Sequence, residues 1–286
     1  MIAWLVDSWS LFWPSYLVAW FSAATLALVG IPVVAREQVL LGAGLVQAGT
    51  AGLALALACG LATGGHHGGV GTTVVAAIAI ILAALVAGAP PGRERPEALA
   101  GWLFLAGSAG AVLLLAHQPM GLELLKQVQS SSLLGAGPFD PWVALALALV
   151  TLAGVVLGGR RLLLSAWEPG LAAALGQRTV LWQLAMAGWT GLCLASSLRL
   201  TGTLFTTALL VLPALIARRW CGGLTMLPWA AVLIAQAAVT GALAIAWHAD
   251  LPPAQVAVAL LAAALAATWA LDAAGSAWRW WRNLAG

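Results

Sequence analysis

Charge is scarce in this sequence: of its 286 residues, 7% are charged and 63% are hydrophobic. Soluble domains carry about 25% charged residues, so a globular fold of this composition could not cover its surface with polar groups. A helix that spans a membrane needs about 20 apolar residues, and the chain offers many such runs. The sequence therefore predicts an all-α, polytopic integral membrane protein in which residues 1–286 form a single transmembrane domain.

Cysteine and lysine are also rare. The three cysteines, Cys59, Cys193 and Cys221, stand alone, so there is no CxxC pair or disulfide framework, and we interpret them as small buried hydrophobic residues. The single lysine, Lys126, is not part of a GxxxxGK[ST] sequence, so the chain has no P-loop for ATP. The net charge of +3 comes from basic residues scattered between apolar runs, which is typical of membrane-protein loops and does not indicate nucleic-acid binding.

Apolar runs define nine segments, which are separated by short turns rich in glycine, proline or charge. They are 13–35, 39–62, 70–89, 98–117, 141–158, 180–198, 201–217, 227–247 and 254–273. Segment 201–217 is short and contains Pro213, which is typical of a broken or re-entrant helix. We therefore predict eight or nine spans. Segment 141–158 also holds a GxxxG step, Gly154 and Gly158, for which we favour tight packing within the chain over a dimer contact.

The basic residues predict the topology. No lysine or arginine precedes Arg36, so the first segment is expected to be a retained span and not a cleaved signal peptide. Nine alternating spans with the N-terminus outside place ten of the twelve basic residues in the cytoplasm, as the positive-inside rule requires. The ten are Arg36, Arg93, Arg95, Arg160, Arg161, Arg178, Arg218, Arg219, Arg279 and Arg282, and the two outside are Lys126 and Arg199. This agreement favours nine spans.

Ionisable side chains are nearly absent from the middle of the segments. Proton-coupled carriers usually place Asp, Glu or His there, and a membrane enzyme needs an acid–base pair or a Ser/His/Asp set, so both classes are disfavoured. The four histidines fall at the predicted outer face; they are His66, His67, His117 and His248, with Asp250 two residues after the last. Imidazole and carboxylate groups suit zinc, iron and manganese, so His66, His67 and His248 are candidate metal ligands. The alternative is that they are ordinary polar loop residues.

One predicted cytoplasmic stretch, Glu168 to Gly176, carries helix start and stop signals, because Pro169 opens it and Gly176 closes it. The helix between them has about seven residues and is near 10 Å long, far too short to span a membrane. A short helix held between two spans at the inner face suits contact with a soluble partner. The alternative is a loop helix without a role.

Three motifs follow one another in the second half of the chain. They are the short helix with Pro169, Leu171, Ala172 and Gly176, then GTLFTTALLVLPA at 202–214 followed by ARR at 217–219, then Asp250-Leu251-Pro252 before the last segment. In order and spacing they resemble the coupling segment, the G-x-L…P-A-x-x-A-R signature and the D-x-P turn of the permeases of zinc, manganese and iron ABC importers. The resemblance extends over nearly the whole chain.

The first half resembles this family less closely. Gly42, Ala48 and Gly52 fit the family segment R-R…G-D-x-x-x-H-A…G, but Ala43 and Gln47 stand where that segment has Asp and His. The resemblance implies that these two positions line the metal path. A neutral path offers a divalent cation little compensation for lost water, although Gln47 can still coordinate through its amide oxygen.

The resemblance implies the bundle of an ABC-importer permease in a bacterial cytoplasmic (inner) membrane. It implies a separate ATPase dimer that holds ATP and Mg²⁺, an extracytoplasmic solute-binding protein, a second permease copy or a paralogue carrying the missing Asp and His, and a divalent metal ion as cargo. The candidate path residues are Gln47, His66, His67, His248 and Asp250, and the candidate coupling residues are Glu168, Pro169, Leu171, Ala172 and Gly176. Two alternatives stay open: a permease of the same fold for a non-metal substrate, and a secondary carrier or membrane scaffold.

Overall fold

A computed structural model describes residues 3–35, 39–60, 70–88, 96–116, 118, 123, 126, 136–167, 169–176, 179–221, 223 and 225–285. This part of the chain is almost entirely helical and contains no strand. In chain order, its helices are α1 (Ala3–Ala35), α2 (Val39–Ala58), α3 (Val70–Gly88), α4 (Pro96–Leu115), α5 (Asp140–Trp167), α6 (Pro169–Ala174), α7 (Thr179–Trp220), α8 (Leu227–Ala249) and α9 (Pro253–Ala285).

Seven of these helices contain a stretch that is long and apolar enough to cross a membrane. The stretches are Phe12–Ala35, Val39–Ala58, Glu97–Leu115, Asp140–Gly159, Leu184–Trp220, Leu227–Ala249 and Pro253–Asp272. A shorter apolar stretch in α3, Gly71–Val86, brings the number to eight among the described residues. The all-α, polytopic prediction is confirmed, and the count depends on how α7 is divided.

The predicted segments 180–198 and 201–217 both lie in α7, and the helix is interrupted at Gly202, near the start of the second segment. Gly202 has φ 79° and ψ 175°, a backbone conformation that is essentially restricted to glycine. It divides α7 into a first arm (179–201) and a second arm (203–220). Pro213, which suggested a broken helix, lies inside the second arm without a break in the helical backbone there. The interruption expected at Pro213 is therefore found at Gly202.

Contacts on either side of Gly202 show which way each arm runs. In the first arm, Trp189 donates a hydrogen bond to Thr151 (2.9 Å), and Arg199, further along, meets Asp140 at the start of α5. The first arm is therefore antiparallel to α5.

The second arm instead runs parallel to α1. In its middle the carbonyl oxygen of Leu210 lies against Gly30, and near its end Arg218 donates a hydrogen bond to the carbonyl oxygen of Val34 (3.3 Å). Both α1 and α5 begin at the outer face in the topology that the basic residues predict. In that topology the chain runs outward along the first arm, turns at Gly202 and runs inward along the second arm, which gives nine crossings.

Burial separates central helices from peripheral ones. Within an apolar stretch of 18 residues in each span, 72% of residues are buried in α7, 67% in α1 and 61% in α2, whereas only 17% are buried in α5. The central helices pack through Leu26, Leu194, Phe205 and Leu210, which are all almost fully buried. Large apolar side chains such as Leu157 cover the outside, where lipid is the solvent. The centre of the bundle is therefore formed by α1, α2 and α7.

Glycine allows the closest approaches between helices. A side chain at Gly30 of α1 would overlap the carbonyl oxygen of Leu210 in the second arm, and one at Gly107 of α4 would come within 2.7 Å of the backbone of Gln47 in α2. Helices in lipid associate through such close packing. At Gly154 the predicted tight packing is wrong for the described part of the chain, where no atom lies within 4 Å of the position that its Cβ would take.

Candidate transport path and coupling helix

The short helix predicted between the fifth and sixth segments is present as α6 (Pro169–Ala174). Its end follows from two backbone hydrogen bonds, Leu175 N–H to Leu171 O (3.0 Å) and Gly176 N–H to Ala173 O (2.9 Å). Gly176 then adopts φ 76°, the left-handed conformation with which glycine commonly ends helices. The start signal at Pro169 and the stop signal at Gly176 are confirmed as local structure. Glu168 lies outside the described residues.

Ala172 of α6 faces the protein, whereas Leu171 of α6 and Leu175, the first residue after its end, face away from it. Ala172 is fully buried, while Leu171 and Leu175 are 51% and 65% exposed. The helix contacts α5 and α7, the two helices that it joins. Leu171 and Leu175 are four residues apart and so lie on the same face of the turn. They form an apolar pair that the described part of the chain leaves exposed.

The two arginines at the end of α7 contact residues near the inner ends of α1 and α9. Arg218 reaches Val34 at the end of α1, as described above, and Arg219 forms an ion pair with Asp272 of α9. The guanidinium carbon of Arg219 lies 5.7 Å from the ring centroid of Trp269, within the range of a cation–π contact. The Arg-Arg of the second motif therefore connects α1, α7 and α9. Arg36, Arg93, Arg95 and Arg178 of the predicted inner face lie outside the described residues.

Gln47 lies on α2 with its side chain partly exposed. Ala43 and Ala51, one turn before and after it, are also partly exposed, whereas Gly42, Gly44 to Val46, Gly49 and Thr50 are buried. The partly exposed side of α2 around Gln47 is therefore electrically neutral. Gln47 is available to a ligand by its exposure, but whether it lines a path stays a prediction.

His248 and Asp250 lie together where α8 ends, and both are exposed. Asp250 has φ 51° and ψ 39°, and its backbone N–H donates to the carbonyl oxygen of Ala246. The chain then turns through Leu251 and enters α9 at Pro253, so the Asp-Leu-Pro motif forms a helix end and a turn, as its residue types suggest. The described residues contain no cluster of three or more His, Cys, Asp or Glu that could hold a metal.

The other predicted histidines, His66, His67 and His117, lie outside the described residues. The structure therefore leaves the proposed ligand set of His66, His67 and His248 as a prediction.

Sequence reasoning missed an ion pair at the outer end of the bundle. Arg199 Nη2 donates to Asp140 Oδ1 (2.7 Å), and the two side chains are only 23% and 19% exposed. Asp140 Oδ2 also accepts a hydrogen bond from the backbone N–H of Gly137 (2.8 Å). The pair joins the start of α5 to the first arm, three residues before the turn at Gly202. The available signal was that Arg199 and Asp140 both fall at predicted outer ends of spans.

The description of the family whose sequence model matches this chain is "ABC 3 transport family", and the match covers residues 9–271. No curated protein matches the chain. Among solved structures, the fold is similar to a chain of PsaBC from Streptococcus pneumoniae in complex with Fab, with a TM-score of 0.80 and 18% identity over 94% of this chain and 95% of that chain.

A second similar structure is described as an inward-facing conformation of a candidate metal-chelate type ABC transporter. Its TM-score is 0.71 and its identity 16%, over 91% of this chain and 87% of that chain. At these identities the likeness concerns the fold. The family match spans most of the sequence, and the helices form the membrane bundle that the resemblance implied. This multi-pass membrane protein belongs to the ABC 3 transport family and is a membrane-spanning permease of an ABC transporter.

Proposed function

We propose that this permease imports a divalent transition metal ion, zinc, manganese or iron, across a bacterial cytoplasmic membrane. The energy comes from ATP, which a separate ATPase dimer binds with Mg²⁺ and hydrolyses. The observation that carries the proposal is α6, a helix of six residues at the predicted inner face that presents an uncovered apolar pair. The family assignment supports it, as does the likeness in fold to a transporter described as metal-chelate type.

In this proposal α6 is the coupling helix. Leu171 and Leu175 insert into the ATPase subunit, and buried Ala172 holds α6 against the bundle. The first arm of α7 begins at Thr179, shortly after α6, and its 23 residues (179–201) rise about 35 Å, enough to cross the bilayer core. Movement of α6 on ATP binding therefore shifts a helix that reaches the outer end of the bundle at Gly202.

The proposed transporter also needs a second permease chain and a source of cargo. The second chain is another copy of this permease or a paralogue. An extracytoplasmic solute-binding protein delivers the ion to the outer face, where His66, His67, His248 and Asp250 lie in the predicted topology. Exposed His248 and Asp250 supply the nitrogen and oxygen donors that a transition-metal ion accepts.

Replacement of the apolar pair on α6 tests the coupling role. In the double variant Leu171→Ser and Leu175→Ser we expect at least tenfold weaker co-purification with the ATPase subunit and a matching loss of metal uptake. Met226→Ser is the matched control, because Met226 is 70% exposed at the start of α8, on the same predicted face. Equal retention of the ATPase by both variants would contradict the proposal.

A second candidate function, import of a non-metal substrate by the same fold, is favoured by the neutral surroundings of Gln47. Stimulation of ATPase activity in proteoliposomes separates the two candidates. We expect the permease with its ATPase and binding protein to respond to Zn²⁺, Mn²⁺ or Fe²⁺ at micromolar concentration and not to Mg²⁺. Failure of all three ions to stimulate a complex that hydrolyses ATP would favour the non-metal substrate.

A further inference from the structure

A small cavity lies between α1, α5 and the first arm of α7, in the outer half of the bundle. Its polar lining consists of Ser22 and Thr25 from α1 and of Ser196 and Ser197 from the first arm. Apolar side chains of α5, including Leu147, complete it, and it has room for about one water molecule. Four of the twelve buried Ser and Thr residues in the described part of the chain meet around this one small space.

Two of these hydroxyls already donate a hydrogen bond to a backbone carbonyl oxygen of their own helix. Thr25 donates to the carbonyl oxygen of Phe21 (2.8 Å), and Ser196 donates to that of Leu192 (2.8 Å). A hydroxyl has one proton and two lone pairs. Towards the cavity Thr25 and Ser196 can therefore act only as acceptors.

The other two hydroxyls are differently placed. Ser22 and Ser197 are each 4% exposed, and neither side chain has a hydrogen-bond partner among the described residues. Serine in a helix can donate to the carbonyl oxygen four residues earlier, and neither serine does so. Because both serines line the cavity, a ligand there that bonds to both hydroxyls gains about 0.5–1.5 kcal/mol per hydrogen bond.

We propose that this cavity binds a single water molecule that joins α1 to the first arm of α7. The water accepts hydrogen bonds from Ser22 and Ser197 and donates its two protons to Thr25 and Ser196, so that donors and acceptors balance. A dehydrated monovalent cation would fit the space, but the guanidinium of Arg199, two residues after Ser197, disfavours it. The site is independent of the cargo, so it stands or fails separately from the proposed function.

A double-mutant cycle on thermal unfolding of the full chain in detergent tests the shared water. We expect Ser22→Ala and Ser197→Ala each to lower the unfolding midpoint by about 2–4 °C. The double variant should lower it by clearly less than the sum, because the first substitution already loses the water. The control cycle pairs Ser197→Ala with Ser15→Ala. Ser15 is 3% exposed on the same helix but does not line the cavity, so this cycle should be additive.

Additivity of the Ser22 and Ser197 substitutions would overturn the proposal. A cryo-EM map that resolves ordered waters gives an independent measurement. We expect one density peak within about 3 Å of both Ser22 Oγ and Ser197 Oγ, unchanged between sodium and choline buffers. An empty cavity, or a peak that depends on sodium, would refute a bound water.

Discussion

The sharp turn at Gly202 predicts that two Gly→Ala substitutions in α7 change the free energy of unfolding in opposite directions. At φ 79° and ψ 175°, a side chain forces the backbone into a conformation that costs roughly 1–3 kcal/mol. Gly188 lies in the first arm of the same helix, has helical backbone angles, and has no atom within 4 Å of its Cβ position. Alanine at such a helical site stabilises by roughly 0.5–1 kcal/mol. We therefore expect the free energy of unfolding to fall in Gly202→Ala and to rise in Gly188→Ala, a difference of about 1.5–4 kcal/mol.

The assay is denaturant or thermal unfolding of both variants in the same detergent, with the far-UV CD spectrum as a check that helix content is unchanged. Loss of transport in Gly202→Ala but not in Gly188→Ala would show that the direction of the second arm matters for function. Shifts of the same sign and size in the two variants would refute the reasoning, because they would mean that the backbone at Gly202 carries no special constraint.

Two further predictions concern contacts between helices. Asp140→Asn and Arg199→Gln should each lower the free energy of unfolding by about 1–3 kcal/mol, since each removes a short ionic hydrogen bond between two mostly buried side chains. The double variant should lose less than the sum, and strict additivity would show that the pair does not interact. Gly107→Ala should destabilise by about 1–3 kcal/mol, because its Cβ meets the backbone of α2. Gly101→Ala on the same helix meets nothing within 4 Å and should be neutral or stabilising, so equal effects of the two glycine substitutions would exclude a close approach of α2 and α4.

Those parts of the candidate site that depend on interactions between residues close in sequence could be predicted. The proline at the start of α6 and the glycine at its end act within a few residues, so the sequence located this helix to within two residues at its C-terminal end. The end of α8 at Asp250 is local in the same way. Gln47 and Ala43 could be recognised only by resemblance, because a neutral residue in an apolar run carries no signal of its own.

Long-range contacts could not be predicted in this way. Asp140 and Arg199 are 59 residues apart in sequence, and no local sequence pattern predicts that their side chains form an ion pair. Close contacts at glycines are equally hard to predict. Gly154 belongs to a GxxxG step, but no described atom lies near its Cβ position. Gly30 belongs to no such step, yet it lies against the backbone of another helix. Which small residue is used depends on which helices are neighbours.

The amino-acid sequence alone determined that this is an integral membrane protein, because 7% charged residues are too few to cover the surface of a globular protein in water. It also located the apolar runs that form the spans, but left their number at eight or nine. The tertiary structure decided where the chain turns back, which helices form the centre and which hydroxyls share a cavity. Those outcomes depend on shape complementarity between segments that are distant in the sequence. The order of residues along the chain does not show which segments fit together.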